Sequence, residues 1–342
     1  MYSLLEMPED VMRKITELLD FESIQRLRKT CHDLRNFLED TLPDCKLQSI
    51  DMTIQFDEMR IFFRFGNREI QVHQKNNSDG CAISIFKENR CITKVLNGED
   101  FMDIAFKNFK NVFVNQKSIV ESFNWDYHFN CRQNPQNVVL KFSEGLGSVL
   151  NARKQKLQVK CFHCTVIDQD QVLDVLPHLD PNTLKYLDAA NVRGSSEDLK
   201  VLEMKEIVHM KFWKNLEMFT TLNFVVDVPI EHFLHFKRAN VGYRVVTAEM
   251  VMAVKENFLH SSNMNFFELR FEKSNAEEKL TELFGQSFKQ FDGLQDTKRH
   301  WFFKIPNNYV NAHSLYIYKN CVFFSRVFLK KVPENARLIE SE

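Results

Sequence analysis

Apolar residues recur at helical spacing over the first forty residues of this chain and at alternating positions soon afterwards. Pro8 suits the first turn of a helix, where its missing N–H has no intrahelical partner, and Glu9 and Asp10 then sit at the positive end of the helix dipole. Val11, Ile15, Leu18 and Leu19 follow at i, i+4, i+7 and i+8 as one apolar stripe, with Arg13, Lys14 and Glu17 outside it. Asp20 and Phe21 break the pattern, and a second short helix from Glu22 carries Ile24 and Leu27. Thr30 and Asp33 have capping-box spacing, which predicts a third helix bearing Cys31, Leu34, Phe37 and Leu38. A unit of about 40 residues lies near the lower size limit for folding alone, so its remaining apolar surface, Met7 and Met12 included, is expected to meet another body. The segment reads as a docking element for another protein.

The period then changes from 3.6 to 2. Ile50, Met52, Ile54 and Phe56 alternate with polar residues, followed by Ile61, Phe63 and Phe65, by Ile70 and Val72, and by Cys81, Ile83 and Ile85. Gly66-Asn67 and Asp79-Gly80 supply turn chemistry, so a short antiparallel meander is expected. From Asp100 to about Phe123 the pattern reads as helical. Beyond Pro135, helices and short strands alternate, with a helix over Val139–Leu150, a strand over Leu157–Val166 and a capped helix from Asp168 and Gln171 toward Pro177. A second helical piece spans Ile207–Trp213, and another helix Thr247–Leu259. Strand starts near 157, 184, 216, 241 and 266 are 27, 32, 25 and 25 residues apart, within the range of leucine-rich repeats. The fold class predicted is α+β: three N-terminal helices, a β meander, then an irregular leucine-rich-repeat-like α/β solenoid whose units bury a face only by stacking. The corresponding domains are 1–45, a β-rich connecting region with a helix at 46–130, the solenoid at 131–330, and a tail at 331–342.

Composition narrows the classes. With 342 residues, 44% hydrophobic and 27% charged, the chain has material for a real core, and 32 phenylalanines call for wide core layers. Only 9 glycines and 8 prolines leave little room for long flexible linkers. A net charge of -1 argues against nucleic acid as a partner. Neither a signal peptide nor an apolar run long enough for a membrane span is recognisable, so a cytoplasmic and/or nuclear location without membrane partners is expected. Cys31, Cys45, Cys81, Cys91, Cys131, Cys161, Cys164 and Cys321 are too scattered for a disulfide framework, and reduced thiols are the expectation.

The N-terminal residues resemble an F-box: a hydrophobe-Pro-x-acid-hydrophobe start at Met7, the Ile-x-x-x-Leu turn, the Asp20-Phe21 junction, and the run Cys31-His32-Asp33-Leu34-Arg35. The resemblance implies docking onto the Skp adaptor of a cullin-RING ubiquitin ligase, with Met7, Pro8, Val11, Met12, Ile15, Leu19 and Leu34 at the adaptor-facing positions. Met7 replaces the commoner Leu, and Leu34 stands where many members carry Trp. Further along, Leu176-Pro177-His178-Leu179-Asp180-Pro181, Phe212-Trp213-Lys214-Asn215, Leu283-Phe284-Gly285 and Trp301-Phe302-Phe303-Lys304-Ile305-Pro306 resemble the FTH domain of the roundworm-expanded F-box family. That resemblance implies recruitment of a target protein and assigns no target-binding residue.

Other chemistry is weaker. Cys161-Phe162-His163-Cys164 invites a metal reading, yet on a strand Cys161 and His163 face opposite to Cys164, and no second ligand pair follows. His178, His209, His232 and His235 are isolated. Gly145-Leu146-Gly147 lacks the strand-turn-helix setting of a phosphate loop. Gly194 to Asp198 reads as a surface loop, and Arg26, Arg28, Lys29 and Arg35, interleaved with acids, as a solvated helix face. No catalytic residue, cofactor or metal is expected.

The function expected is therefore that of a non-enzymatic substrate-recognition adaptor of a Skp-cullin-F-box ligase, its partners the Skp-type adaptor, through it a cullin scaffold, and a target protein. The alternative is a solenoid interaction scaffold whose F-box-like helices are structural, with no role in degradation. A thiol enzyme using Cys161 and Cys164 is a distant third.

Overall fold

The computed structural model describes residues 4–87, 90–129, 134–192, 199–261, 263–291, 297–306 and 308–340. The Gly194 to Asp198 loop and Cys131 lie outside them. The chain is α+β and divides into two compact units, residues 1–165 with 170–184, and residues 166–169 with 185–342.

The first unit opens with α1 (Glu9–Leu18), α2 (Phe21–Leu27) and α3 (His32–Thr41). Pro8 is extended and flanks α1, leaving Glu9 and Asp10 in the first turn as read from the sequence. Asp20 caps α2, its carboxylate accepting from the Ser23 N–H at 2.8 Å. The Thr30/Asp33 capping box does not form: Cys31 flanks α3, and the Thr30 hydroxyl donates to the Leu27 carbonyl at 2.6 Å. That hydroxyl is drawn back to the end of α2 instead, to the carbonyl that also accepts from the Thr30 N–H at 3.1 Å.

Strands β1 (Ser49–Ile54), β2 (Glu58–Phe65), β3 (Arg68–Asn77), β4 (Gly80–Lys87) and β5 (Arg90–Asn97) pair antiparallel in that order. At Gly80 an added Cβ would stand 2.1 Å from the Leu96 carbonyl, so only glycine lets the strands approach there. α4 (Phe101–Phe113) follows, and its N-cap Asp100 accepts from the Met102 N–H at 2.8 Å. The helical reading to Phe123 is corrected: the helix ends at Phe113, and β6 (Val120–Tyr127) is a strand with Val120, Phe123, Trp125 and Tyr127 buried. β6 lies parallel between β1 and β7 (Val159–Val166). α5 (Gln136–Asn151) packs on α4, and Gly145 is why it can: a Cβ there would stand 2.2 Å from the Phe106 ring. Rings then carry the core, with Phe109 and Phe113 centroids 4.4 Å apart and Phe123 and Phe162 5.6 Å apart. The helix expected toward Pro177 is one turn, α6 (Asp170–Leu173), followed by a 3-10 turn over Leu176–His178.

In the second unit β8 (Tyr186–Asn191), β10 (Met218–Leu222), β12 (Arg238–Val246) and β13 (Phe266–Ser274) run parallel and adjacent, while β9 (Lys200–Leu202) and β11 (Phe224–Val226) form a small parallel pair. The helical piece expected over Ile207–Trp213 consists of two 3-10 turns, Ile207–His209 and Trp213–Asn215. Trp213 is buried against Phe219, Phe233 and Phe236 with centroids 5.0–5.8 Å away, and its indole N–H reaches the His232 carbonyl at 3.1 Å. After α7 (Ala248–His260) and α8 (Ala276–Phe284) the pattern turns antiparallel, with β14 (Phe288–Phe291), β15 (Thr297–Lys304), β16 (Asn311–Tyr318) and β17 (Cys321–Phe328) in sequence and β17 returning to β13. β18 (Leu338–Ile339) adds parallel to β15.

Candidate adaptor-docking surface

α1 carries two apolar stripes. At about 100° per residue, Val11, Ile15 and Leu18 fall within about 60° of one another, and Met12 and Thr16 lie about 100° further round. The second stripe is covered: Met12 is 8% exposed and Thr16 is buried, as are Leu34, Ile24 and Leu38 on the two helices that follow. The first faces outward. Met7 is 37%, Val11 41% and Leu18 83% exposed, Ile15 and Leu19 are half-buried, and Pro8 is exposed. The stripe read from the sequence thus faces outward, with Leu18 turned furthest from the chain's own core and Leu19 at its edge. Leu18 and the exposed Leu5 are surface that the expected contact set omitted, although Leu18 shares the spacing of Val11 and Ile15. An exposed ion pair, Arg13 to Glu9 at 2.5 Å, borders the outer stripe and raises the Arg13 pKa through that hydrogen bond.

The helices are fixed to the meander at one end and to the segment between α4 and β6 at the other. The Phe21 and Phe65 rings stack at 4.7 Å, Arg68 meets Asp20 at 2.5 Å, and Lys87 pairs with Glu22. Bonding to Ser23, then to Arg68, lowers the Asp20 pKa. At the other end Asp44 accepts from the N–H groups of Lys117 at 2.8 Å and of Ser118 and Lys46 at 3.2 Å. Burial pushes its pKa up, and those donors outweigh it, leaving the carboxyl below its ordinary value. Gln116, 1% exposed, imitates a strand partner: its Oε1 accepts from the Leu47 N–H at 2.9 Å and its Nε2 donates to the Leu47 carbonyl at 3.1 Å. Lys46 reaches back to the Glu17 and Leu19 carbonyls at the end of α1.

The F-box domain family matches residues 4–46, and the FTH domain family matches residues 140–287. The chain carries an F-box and an FTH domain. Both are adaptor-type domains rather than catalytic ones, and F-box domains in general bind Skp-type adaptors within cullin ligases. The chain is similar to F-box A protein 224 of Caenorhabditis elegans, 25% identical over 256 residues that make up 74% of this chain and 62% of that protein. It therefore spans less than two thirds of that relative's length. No solved structure matches it.

Outside the F-box, the Cys161 to Cys164 run lies on β7 with Cys164 buried and Cys161 and His163 half-buried on the opposite face. His163 Nε2 lies 3.2 Å from Asp126 Oδ1, and burial raises the Cys161 pKa, the direction opposite to thiol activation. Burial pushes Cys45, at the end of the F-box, to about 12. Among the described residues no group of three or more His, Cys, Asp or Glu is placed to hold a metal ion. No helix among them is long and apolar enough to cross a membrane.

Proposed function

We propose that this chain is the substrate-recognition adaptor of a Skp-cullin-F-box ubiquitin ligase. The F-box would seat Met7, Pro8, Val11, Ile15 and Leu18 against the Skp-type adaptor, with Leu19 at the margin. Met12 and Leu34 would shape that surface from within, given that each is 8% exposed. The observation that carries the reading is the outer stripe of α1, an apolar surface left uncovered on a domain whose other stripe is packed. Residues 46–130 would serve as a β-rich connector and residues 131–330 as the target-holding part.

Within that part, parallel strands beginning at Tyr186, Met218, Arg238 and Phe266 support an irregular leucine-rich-repeat-like solenoid, with 3-10 turns or a helix between them. Its role would be to hold a target protein near the charged ubiquitin-conjugating enzyme, so that rate arises from proximity and not from an acid, base or nucleophile in this chain. The test is turnover. Proteins recovered with the chain under proteasome blockade should gain half-life when the chain is removed, and again when the Pro8→Ala, Ile15→Ala double variant replaces it. Unchanged half-lives for every bound protein would leave a scaffold without a role in degradation.

A further inference from the structure

β5 ends its sheet: it pairs with β4 on one side and with no other strand among the described residues on the other. Its hydrogen-bond parity is fixed at the turn. The Gly98 N–H donates to the Asp79 carbonyl at 2.7 Å, just beyond the Gly80↔Asn97 pair, so that pair is a non-hydrogen-bonded one. Counting along the strand, Cys91, Thr93, Val95 and Asn97 turn their N–H and C=O groups away from β4, while Arg90, Ile92, Lys94 and Leu96 bond to it. Natural edges are usually covered, bent or very short, whereas this one is 8 residues long and paired along its whole length.

Side chains on the α2 side of that edge form a second feature. Ile85 and Ile92 are cross-strand partners, 41% and 69% exposed, and floor a groove of about 520 Å³. Arg26, Arg68, Lys87 and Arg90 line it together with Asp20 and Glu22. The two acids are already engaged by Arg68 and Lys87. Arg90 and, further along the same face, Lys94 have no ion-pair partner among the described residues. The outermost strand therefore offers alternating basic and apolar side chains beside a row of open backbone donors and acceptors.

We propose that the β5 edge and its groove take up an extended segment of a partner protein by strand addition, a segment alternating acidic and apolar residues on the groove side. Backbone pairing would supply most of the affinity and the alternation the specificity, since an acid opposite Arg90 or Lys94 and an aliphatic group over Ile92 fit one strand register. Charge argues against a second copy of this chain. Two β5 strands side by side would bring four unpaired cations together with no acid between them. The inference stands on residues 80–87, residues 90–97 and the α2 turn, apart from the adaptor-docking stripe of α1.

Fluorescence anisotropy of the full chain with two labelled octapeptides, Glu-Thr-Val-Thr-Glu-Thr-Val-Thr and Lys-Thr-Val-Thr-Lys-Thr-Val-Thr, which alternate charged and apolar side chains on one strand face, tests it. The wild type should bind the acidic peptide at least tenfold more tightly. Val95→Pro, which removes an outward N–H without touching the β4 ladder, should abolish binding with the thermal midpoint preserved. Arg90→Glu with Lys94→Glu, a purely surface change, should reverse the preference between the peptides. The proposal is overturned by equal or absent binding of the two peptides to the wild type, or by a double variant that keeps the wild-type preference. A concentration-dependent dimer lost in Val95→Pro would overturn it too, in favour of self-pairing.

Discussion

Two kinds of side chain carry testable consequences of their own. Gln74 is fully buried on β3 between Met59 and Ile83, and among the described residues neither its amide nitrogen nor its amide oxygen has a hydrogen-bond partner. An unsatisfied buried amide costs on the order of 1–3 kcal/mol. Gln74→Met, which keeps the length and removes the polar atoms, should raise the urea midpoint at unchanged slope, a gain of about 1 kcal/mol or more. His313 is 5% exposed, set edge-on to Phe258, with neither ring nitrogen partnered among the described residues, and burial followed by the Arg326 charge lowers its pKa to about 4. A lowered histidine pKa means that below about 6.5 the unfolded chain takes a proton the folded chain refuses. Stability is then full above pH 6.5 and falls as pH drops toward 4. His300, stacked on Tyr316 at 4.7 Å and likewise lowered to about 4, adds in the same direction. Denaturation of wild type and His313→Leu between pH 7 and 5 checks this, the variant having the shallower pH dependence. Parallel curves would show that His313 does not titrate differently on folding.

At the scale of elements, the glycines of α5 make a matched pair. A Cβ on Gly145 would strike the Phe106 ring, whereas one on Gly147 meets nothing within 4 Å. Gly147→Ala should stabilise by about 1 kcal/mol through helix propensity, while Gly145→Ala should lose that gain and about 1–3 kcal/mol more to overpacking between α4 and α5. Thermal midpoints of the two variants moving the same way would contradict the packing account. Neither consequence is legible in the sequence, where both glycines occupy one helical pattern. The elements that were legible had a long, clean period: the alternation of β1 to β4, and the helices α1, α5 and α7. β6 was missed because no glycine or proline separates it from α4; the break is made by Gln116, whose side chain bonds to the Leu47 backbone from 69 residues away. The Thr30/Asp33 signal failed for a local reason, the hydroxyl finding the Leu27 carbonyl first. At the docking surface, spacing identified the residues sharing a stripe but not which stripe meets the core. Met12 is covered and Leu18 exposed because the chain packs against one side of α1 only, a matter of tertiary approach.

For the molecule as a whole, the F-box is held to the meander by ring stacking and ion pairs at Phe21, Asp20 and Glu22, and to the segment between α4 and β6 by the Asp44 clamp. The outer stripe of α1 is therefore presented on a braced surface that does not have to be ordered on binding, which lowers the entropy cost of association. Truncating a central anchor of such an interface costs about 2 kcal/mol or more, roughly a thirtyfold loss of affinity. The most direct measurement is a calorimetric titration of the full chain with a purified Skp-type adaptor, comparing wild type with Ile15→Ala plus Leu18→Ala at matched thermal stability. The account predicts a dissociation constant at least thirtyfold weaker for the double variant. Equal affinity, or no binding by the wild type, would contradict it.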